Sequence, residues 1–71
     1  MSKDELKLLI VENVCKHLSH LSNIISKDAI VQMCITDARM VALHYHVKIS
    51  DAEIDRIVHD AQAKYEAERG V

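Results

Sequence analysis

The chain contains no proline, no phenylalanine and no tryptophan, and its only glycine is the penultimate residue, Gly70. Hairpins and tight turns depend on glycine, proline and related turn residues. The scarcity of glycine and proline therefore argues against a β-sheet protein. No stretch approaches the roughly 20 apolar residues of a membrane-spanning helix, and the N-terminus lacks the plan of a signal peptide. We therefore expect an all-α protein that lies in the cytoplasm and does not enter a membrane.

Motifs for catalysis, metal binding and cofactors are missing as well. Cys15 and Cys34 do not form a C-x-x-C pair, and we interpret them as reduced, buried apolar residues. The histidines form no H-E-x-x-H or other zinc-binding pattern, and there is no glycine-rich phosphate loop or nucleophile elbow. We expect a protein that is not an enzyme and has no catalytic residues, no metal site and no cofactor.

Three equally spaced serines, Ser2, Ser26 and Ser50, stand in the same local pattern. An apolar residue precedes each serine, an acid follows within two positions, and an aliphatic residue stands four positions later. This pattern is typical of helix N-termini, because the hydroxyl accepts a free backbone N–H and the acid suits the positive end of the helix dipole. Glu5 and Glu53 are placed to complete capping boxes with Ser2 and Ser50.

The pattern predicts three helices, over residues 3–24, 27–47 and 51–68. The connections between them are short, which favours an antiparallel up-down-up arrangement. We therefore predict a small all-α three-helix bundle in which residues 1–71 form a single domain. Gly70 is available to cap the end of the third helix.

Asp37 stands out on the second predicted helix because its neighbours three and four positions away are all apolar. They are Met33, Cys34, Met40 and Val41. An unpaired buried carboxylate is costly, so three interpretations remain open. Either the helix breaks near residues 36–37, or Asp37 finds a cationic partner, or this face of the helix is open in the single chain.

The apolar surface points to association. A chain of 71 residues, 49% of them apolar, is near the lower limit of what folds without a partner. On the second helix Met33, Met40 and Val47 recur every seven residues, a spacing typical of a helix–helix seam; the alternative is that these methionines only fill the core. We predict that a contact surface to a second copy or to another protein is formed by Met33, Met40, Leu43, Val47, Leu8 and Val11.

A rival interpretation rests on residues 37–58, which resemble a helix-turn-helix motif. Ala42 lies within the first helix of the motif, Val47 at its turn, and Ile54 faces back from the second helix. The resemblance implies a DNA-binding regulator. The chain departs from the motif at His46, which replaces the usual glycine, and in a connection that is longer by two residues.

The charges of the second helix in this motif do not suit DNA. It begins with Asp51, Glu53 and Asp55, and acids at this position repel phosphates. The formal net charge of the chain is −2. We therefore predict a small non-enzymatic protein-interaction module or regulator that self-associates as a homodimer, with nucleic-acid binding as the disfavoured alternative.

Overall fold

The computed structural model describes residues 1–69, which form three α-helices and, within this range, no strand. The helices are α1 (Lys3–Leu21), α2 (Lys27–His44) and α3 (Asp51–Glu68). Each of them packs against the other two, so the predicted all-α three-helix bundle is confirmed. None of these helices has the length and apolar character needed to cross a bilayer. The cap predicted at Gly70 lies outside the described residues.

All three helices begin where the serine pattern predicts. The Ser2 hydroxyl accepts from the backbone N–H of Glu5 at 3.1 Å, and the Glu5 carboxylate accepts from the N–H of Ser2 at 3.0 Å. This completes a capping box at α1. The hydroxyls of Ser26 and Ser50 each accept from the backbone N–H three residues later, at 3.2 and 3.1 Å.

Two ion pairs show how the helices run. Lys3 at the start of α1 lies 2.9 Å from Glu53 at the start of α3, so these two helices are parallel. Lys27 at the start of α2 lies 2.9 Å from Glu66 near the end of α3, so α2 runs in the opposite direction. The bundle is therefore up-down-up. The Glu53 carboxylate pairs with Lys3. Ser50 caps the start of α3, but without the capping box that was predicted between Ser50 and Glu53.

The ends of α1 and α2 differ from the prediction. The first helix ends at Leu21 instead of residue 24. Beyond it the N–H groups of Ile24 and Ile25 both donate to the Leu21 carbonyl, at 2.9 and 3.0 Å, and the bond from Ile24 is the i→i−3 bond of a tightened last turn. The second helix ends at His44 instead of residue 47.

A Schellman motif ends α2. His46 has a left-handed backbone with φ 56°, and its N–H donates to the Leu43 carbonyl at 3.3 Å. The N–H of Val47 donates to the Ala42 carbonyl at 2.9 Å, which is the second bond of this motif. Because glycine is the usual residue at the left-handed position, the sequence carried no signal for this stop.

The core is wholly apolar and is drawn from all three helices. Among the described residues no polar or charged side chain is buried, and each buried leucine, isoleucine or valine contributes roughly 1.5–3 kcal/mol to folding. Partly buried Leu21, Ile25, Val47, Ile49 and Tyr65 close the ends of the core. The buried side chains are Leu6, Ile10, Val14, Leu18, Ile30, Val31, Cys34, Ile35, Ala38, Ala42, Ile54, Val58 and Ala61.

Candidate functional site

The exposed side of α2 carries a row of residues at alternating spacings of four and three positions. We call this row the outer seam; it consists of Ala29, Met33, Thr36, Met40 and Leu43, all exposed. The exposed fractions of its large side chains are 39% for Met33, 66% for Met40 and 78% for Leu43. Alternation of four and three is the spacing by which one helix packs along another. The inner side of α2 is already filled by the core, so the seam is additional to the folding of the bundle.

Val47 continues the spacing of the outer seam, but it lies beyond the end of α2. It is half-buried and packs against the core. It also lines a depression with Leu43 and Arg39 at the α2–α3 connection. Val47 therefore bounds the seam at this end of the bundle and has less free surface than Met40 or Leu43.

A groove runs between α1 and α2 beside the outer seam. Its volume is about 480 Å³. We call it the α1–α2 groove, and Met40 belongs both to its wall and to the seam. The groove is lined by Leu6, Leu9, Ile10, Glu12, Asn13, Lys16, Cys34, Asp37, Ala38, Met40 and Val41.

Polar side chains of the groove come from both helices, and Asp37 is one of them. Helix α2 is continuous through residues 36–37, so the predicted alternative of a broken helix is wrong. Asp37 is exposed, and the side-chain amide of Asn13 donates to its carboxylate at 3.5 Å. Among the described residues it forms no ion pair. The third interpretation therefore holds: the face of α2 that carries Asp37 is open in the single chain.

Cys34 forms part of the apolar floor of this groove. It is only 1% exposed, and burial raises the pKa of its thiol, with a further contribution from the negative charge of Asp37. Both effects disfavour the thiolate, which is the reactive form of cysteine. Cys15 and Cys34 are both free thiols, but the prediction that both are buried is correct only for Cys34. Cys15 is partly exposed.

The structure does not bring Leu8 and Val11 together with the outer seam. Leu8 is 65% exposed and Val11 37% exposed, and neither lines the α1–α2 groove. A helix turns by about 100° per residue, so Leu8 and Val11 point roughly 100° and 160° away from Leu9 around α1. Leu9 faces the groove instead and is 41% exposed.

Three residues of α1 that line the groove were not predicted from the sequence. Leu9, Asn13 and Lys16 follow one another at the helical spacings of four and three, and all three line the groove. That spacing was the available signal. It was obscured because Leu6 and Ile10, at the same type of spacing, mark the stronger core stripe of the helix.

Within residues 1–69, no group of three or more histidine, cysteine or acidic side chains is arranged to hold a metal ion. Charged side chains at the groove come from Glu12, Lys16 and Asp37, and the rest of its lining is apolar apart from Asn13. Comparison of the chain with protein-family models, curated proteins and solved structures finds no match.

Proposed function

We propose that this protein is a small non-enzymatic interaction module or regulator, which acts in the cytoplasm by packing the outer seam of α2 against another protein. A second copy of the chain is its first partner. The observation that carries the proposal is the exposure of Met40 and Leu43, at 66% and 78%, in register with Met33. Single exposed aliphatic residues are normal on a protein surface. A row of them at helix-packing distance, next to an apolar groove, is characteristic of a contact surface.

The composition of the surface supports the same proposal. Methionine side chains are flexible and polarizable, so they adapt to the shape of a partner.

Oligomeric mass tests the proposal. We expect the wild-type chain to show twice its monomer mass of 8.1 kDa in light scattering, and Met40→Asp to reduce that mass to one chain. The reason is that a charge at the centre of the seam must be desolvated in the complex. Circular dichroism should remain helical, because Met40 is exposed and contributes little to the fold of one copy.

Ile24→Asp is the matched control, since Ile24 is 73% exposed but lies in the α1–α2 connection, away from the outer seam. It should leave the mass of the wild type unchanged. Leu8→Asp, on the other flank of α1, asks whether the predicted Leu8 and Val11 contacts take part. A monomeric wild type, or equal loss of mass in Met40→Asp and Ile24→Asp, would contradict self-association through the seam.

Several observations favour this proposal over DNA binding. In a helix-turn-helix the two helices cross at about 90–120°, whereas α2 and α3 lie side by side, with ion pairs at Arg39–Asp51 near the connection and Lys27–Glu66 at the far end. Arg39 and Lys27 are thereby already paired with carboxylates. The DNA-binding alternative predicts a steeply salt-dependent shift of duplex DNA, lost when Lys48 and Arg56 are neutralised together.

A further inference from the structure

We infer that Met40 and Met33 form a site of reversible oxidation, at which a peroxide converts their thioethers to sulfoxides and thereby abolishes the contact made by the outer seam. The inference rests on the proposed function and adds its regulation. It follows from where the sulfur atoms lie in the bundle, since two of the three methionines share the exposed side of α2 and none of them belongs to the core.

All three methionines of the chain lie outside the core. Met40 is 66% exposed, Met1 47% and Met33 39%. In many proteins methionine fills irregular gaps in the core, because its side chain is unbranched and flexible. The core of this bundle consists instead of leucine, isoleucine, valine, alanine and Cys34. Oxidation of the methionines therefore changes the surface of the bundle and leaves its interior apolar.

The cysteine side chains are less open to an oxidant than Met40 is. Cys34 is 1% exposed, and its burial and the negative charge of Asp37 disfavour the reactive thiolate. Cys15 is partly exposed and does not line the α1–α2 groove. Of the side chains that contain sulfur, Met40 is thus the most exposed, and it stands where the outer seam meets the groove.

The reaction is a two-electron oxidation of the thioether. A lone pair of the methionine sulfur attacks one oxygen of hydrogen peroxide, the O–O bond breaks, and the other oxygen leaves as water. The sulfur is oxidised and the peroxide is reduced. In the reverse reaction two thiols become a disulfide while the sulfoxide oxygen leaves as water, and methionine sulfoxide reductases, one for each epimer, catalyse this step.

The product is unsuited to an apolar contact. A sulfoxide is polar, and its oxygen is a hydrogen-bond acceptor that must be desolvated when the seam is covered. Met33 precedes Met40 by seven residues, about 10 Å along α2 at roughly 1.5 Å per residue. Two sulfoxides would therefore interrupt the same seam at two levels. In the single chain both remain in contact with water, so the fold does not oppose their formation.

Controlled oxidation tests the inference. The full chain with Cys15→Ser is treated with hydrogen peroxide, and peptide mass spectrometry measures the conversion of Met33 and Met40. We expect the mass in light scattering to fall from two chains to one as these residues are converted, while circular dichroism remains helical. Treatment with methionine sulfoxide reductases and dithiothreitol should restore the mass of two chains.

The double variant Met33→Leu, Met40→Leu has no thioether on the seam, so peroxide should leave it with the mass that it has before treatment. Ile24→Met in the Cys15→Ser chain is the matched control for an additional thioether. Position 24 is 73% exposed but lies in the α1–α2 connection. The added thioether should be oxidised, and the chain should lose its mass of two chains only in step with the conversion of Met33 and Met40.

The outcomes separate this inference from the proposed function. A mass of two chains that persists after full conversion of Met33 and Met40 would overturn the inference, while self-association through the seam would stand. The same loss of mass in the peroxide-treated double variant would place the sensitive group elsewhere and would also overturn it. A monomeric mass for the untreated chain would overturn both self-association and its regulation.

Discussion

Asn13 and Asp37 meet across the α1–α2 groove, with Nδ2 of the amide 3.5 Å from Oδ2 of the carboxylate. This contact is exposed and long, so it contributes little to stability. It also explains how α2 tolerates an acid among apolar neighbours. The carboxylate remains in contact with water at the open side of the bundle, and the helix has no reason to break there.

Cys34, below this contact, should be protected from thiol reagents in the folded protein. Burial and the charge of Asp37 raise the pKa of the thiol, so both access and thiolate formation are disfavoured. Titration with Ellman's reagent should detect Cys15, which is partly exposed, before any denaturant is added. Cys34 should react only when denaturant unfolds the chain. Rapid reaction of the native Cys15→Ser variant would contradict the buried position of Cys34.

Leu6 and Leu8 offer a matched pair for measuring the core. Leu6 is 0% exposed and Leu8 65% exposed, on the same helix. Leu6→Ala should lower the free energy of unfolding by about 2–5 kcal/mol, because it leaves a cavity. Leu8→Ala should change it by less than about 0.5 kcal/mol. Urea denaturation monitored by circular dichroism measures both, and similar losses would show that the two faces of α1 are wrongly assigned.

The backbone of His46 is strained at the end of α2, since its φ of 56° lies in the left-handed region. His46→Gly should stabilise the protein by roughly 1 kcal/mol, because glycine lacks the Cβ that makes this region unfavourable. His46→Ala keeps the Cβ and should give no such gain. The two variants can be compared by urea denaturation, where an equal response would argue that the Schellman motif does not form.

The protein should become less stable in acid, because protonation of Glu66 removes its ion pair with Lys27. Its ion pair with Lys27 lowers the pKa of the carboxyl below the ordinary value of 4.5. A lowered folded-state pKa gives stability that is fully present above pH 4.5 and is lost as the pH falls through the folded-state value. Glu66→Gln should therefore lower the urea midpoint at neutral pH and should converge with the wild type in acid.

Glu68→Gln is the control for that measurement. It removes a carboxylate from the same helix, but Glu68 forms no ion pair within the described part of the chain. Its urea midpoint should follow that of the wild type at both pH values. If Glu66→Gln also follows the wild type at neutral pH, then the Lys27–Glu66 pair contributes nothing to folding.

The starts of the helices and the identity of the fold could be predicted from the sequence alone. A serine cap, an acid and a following aliphatic residue act within one helical turn, so Ser2, Ser26 and Ser50 specify their helices through local contacts. The apolar spacing on each helix likewise predicts which side enters a core. These features require no knowledge of the neighbouring helices.

Tertiary structure alone decided the remaining features, because they depend on which helix lies on each side of another. Leu8 and Leu9 are equally apolar, and only the position of α2 places Leu9 at the groove and leaves Leu8 on the far flank. The partner of Glu53 is Lys3, which lies on a different helix. The sequence by itself determined three amphipathic helices. The packing of the bundle determined which apolar residues remain uncovered, because each helix covers only one flank of its neighbour.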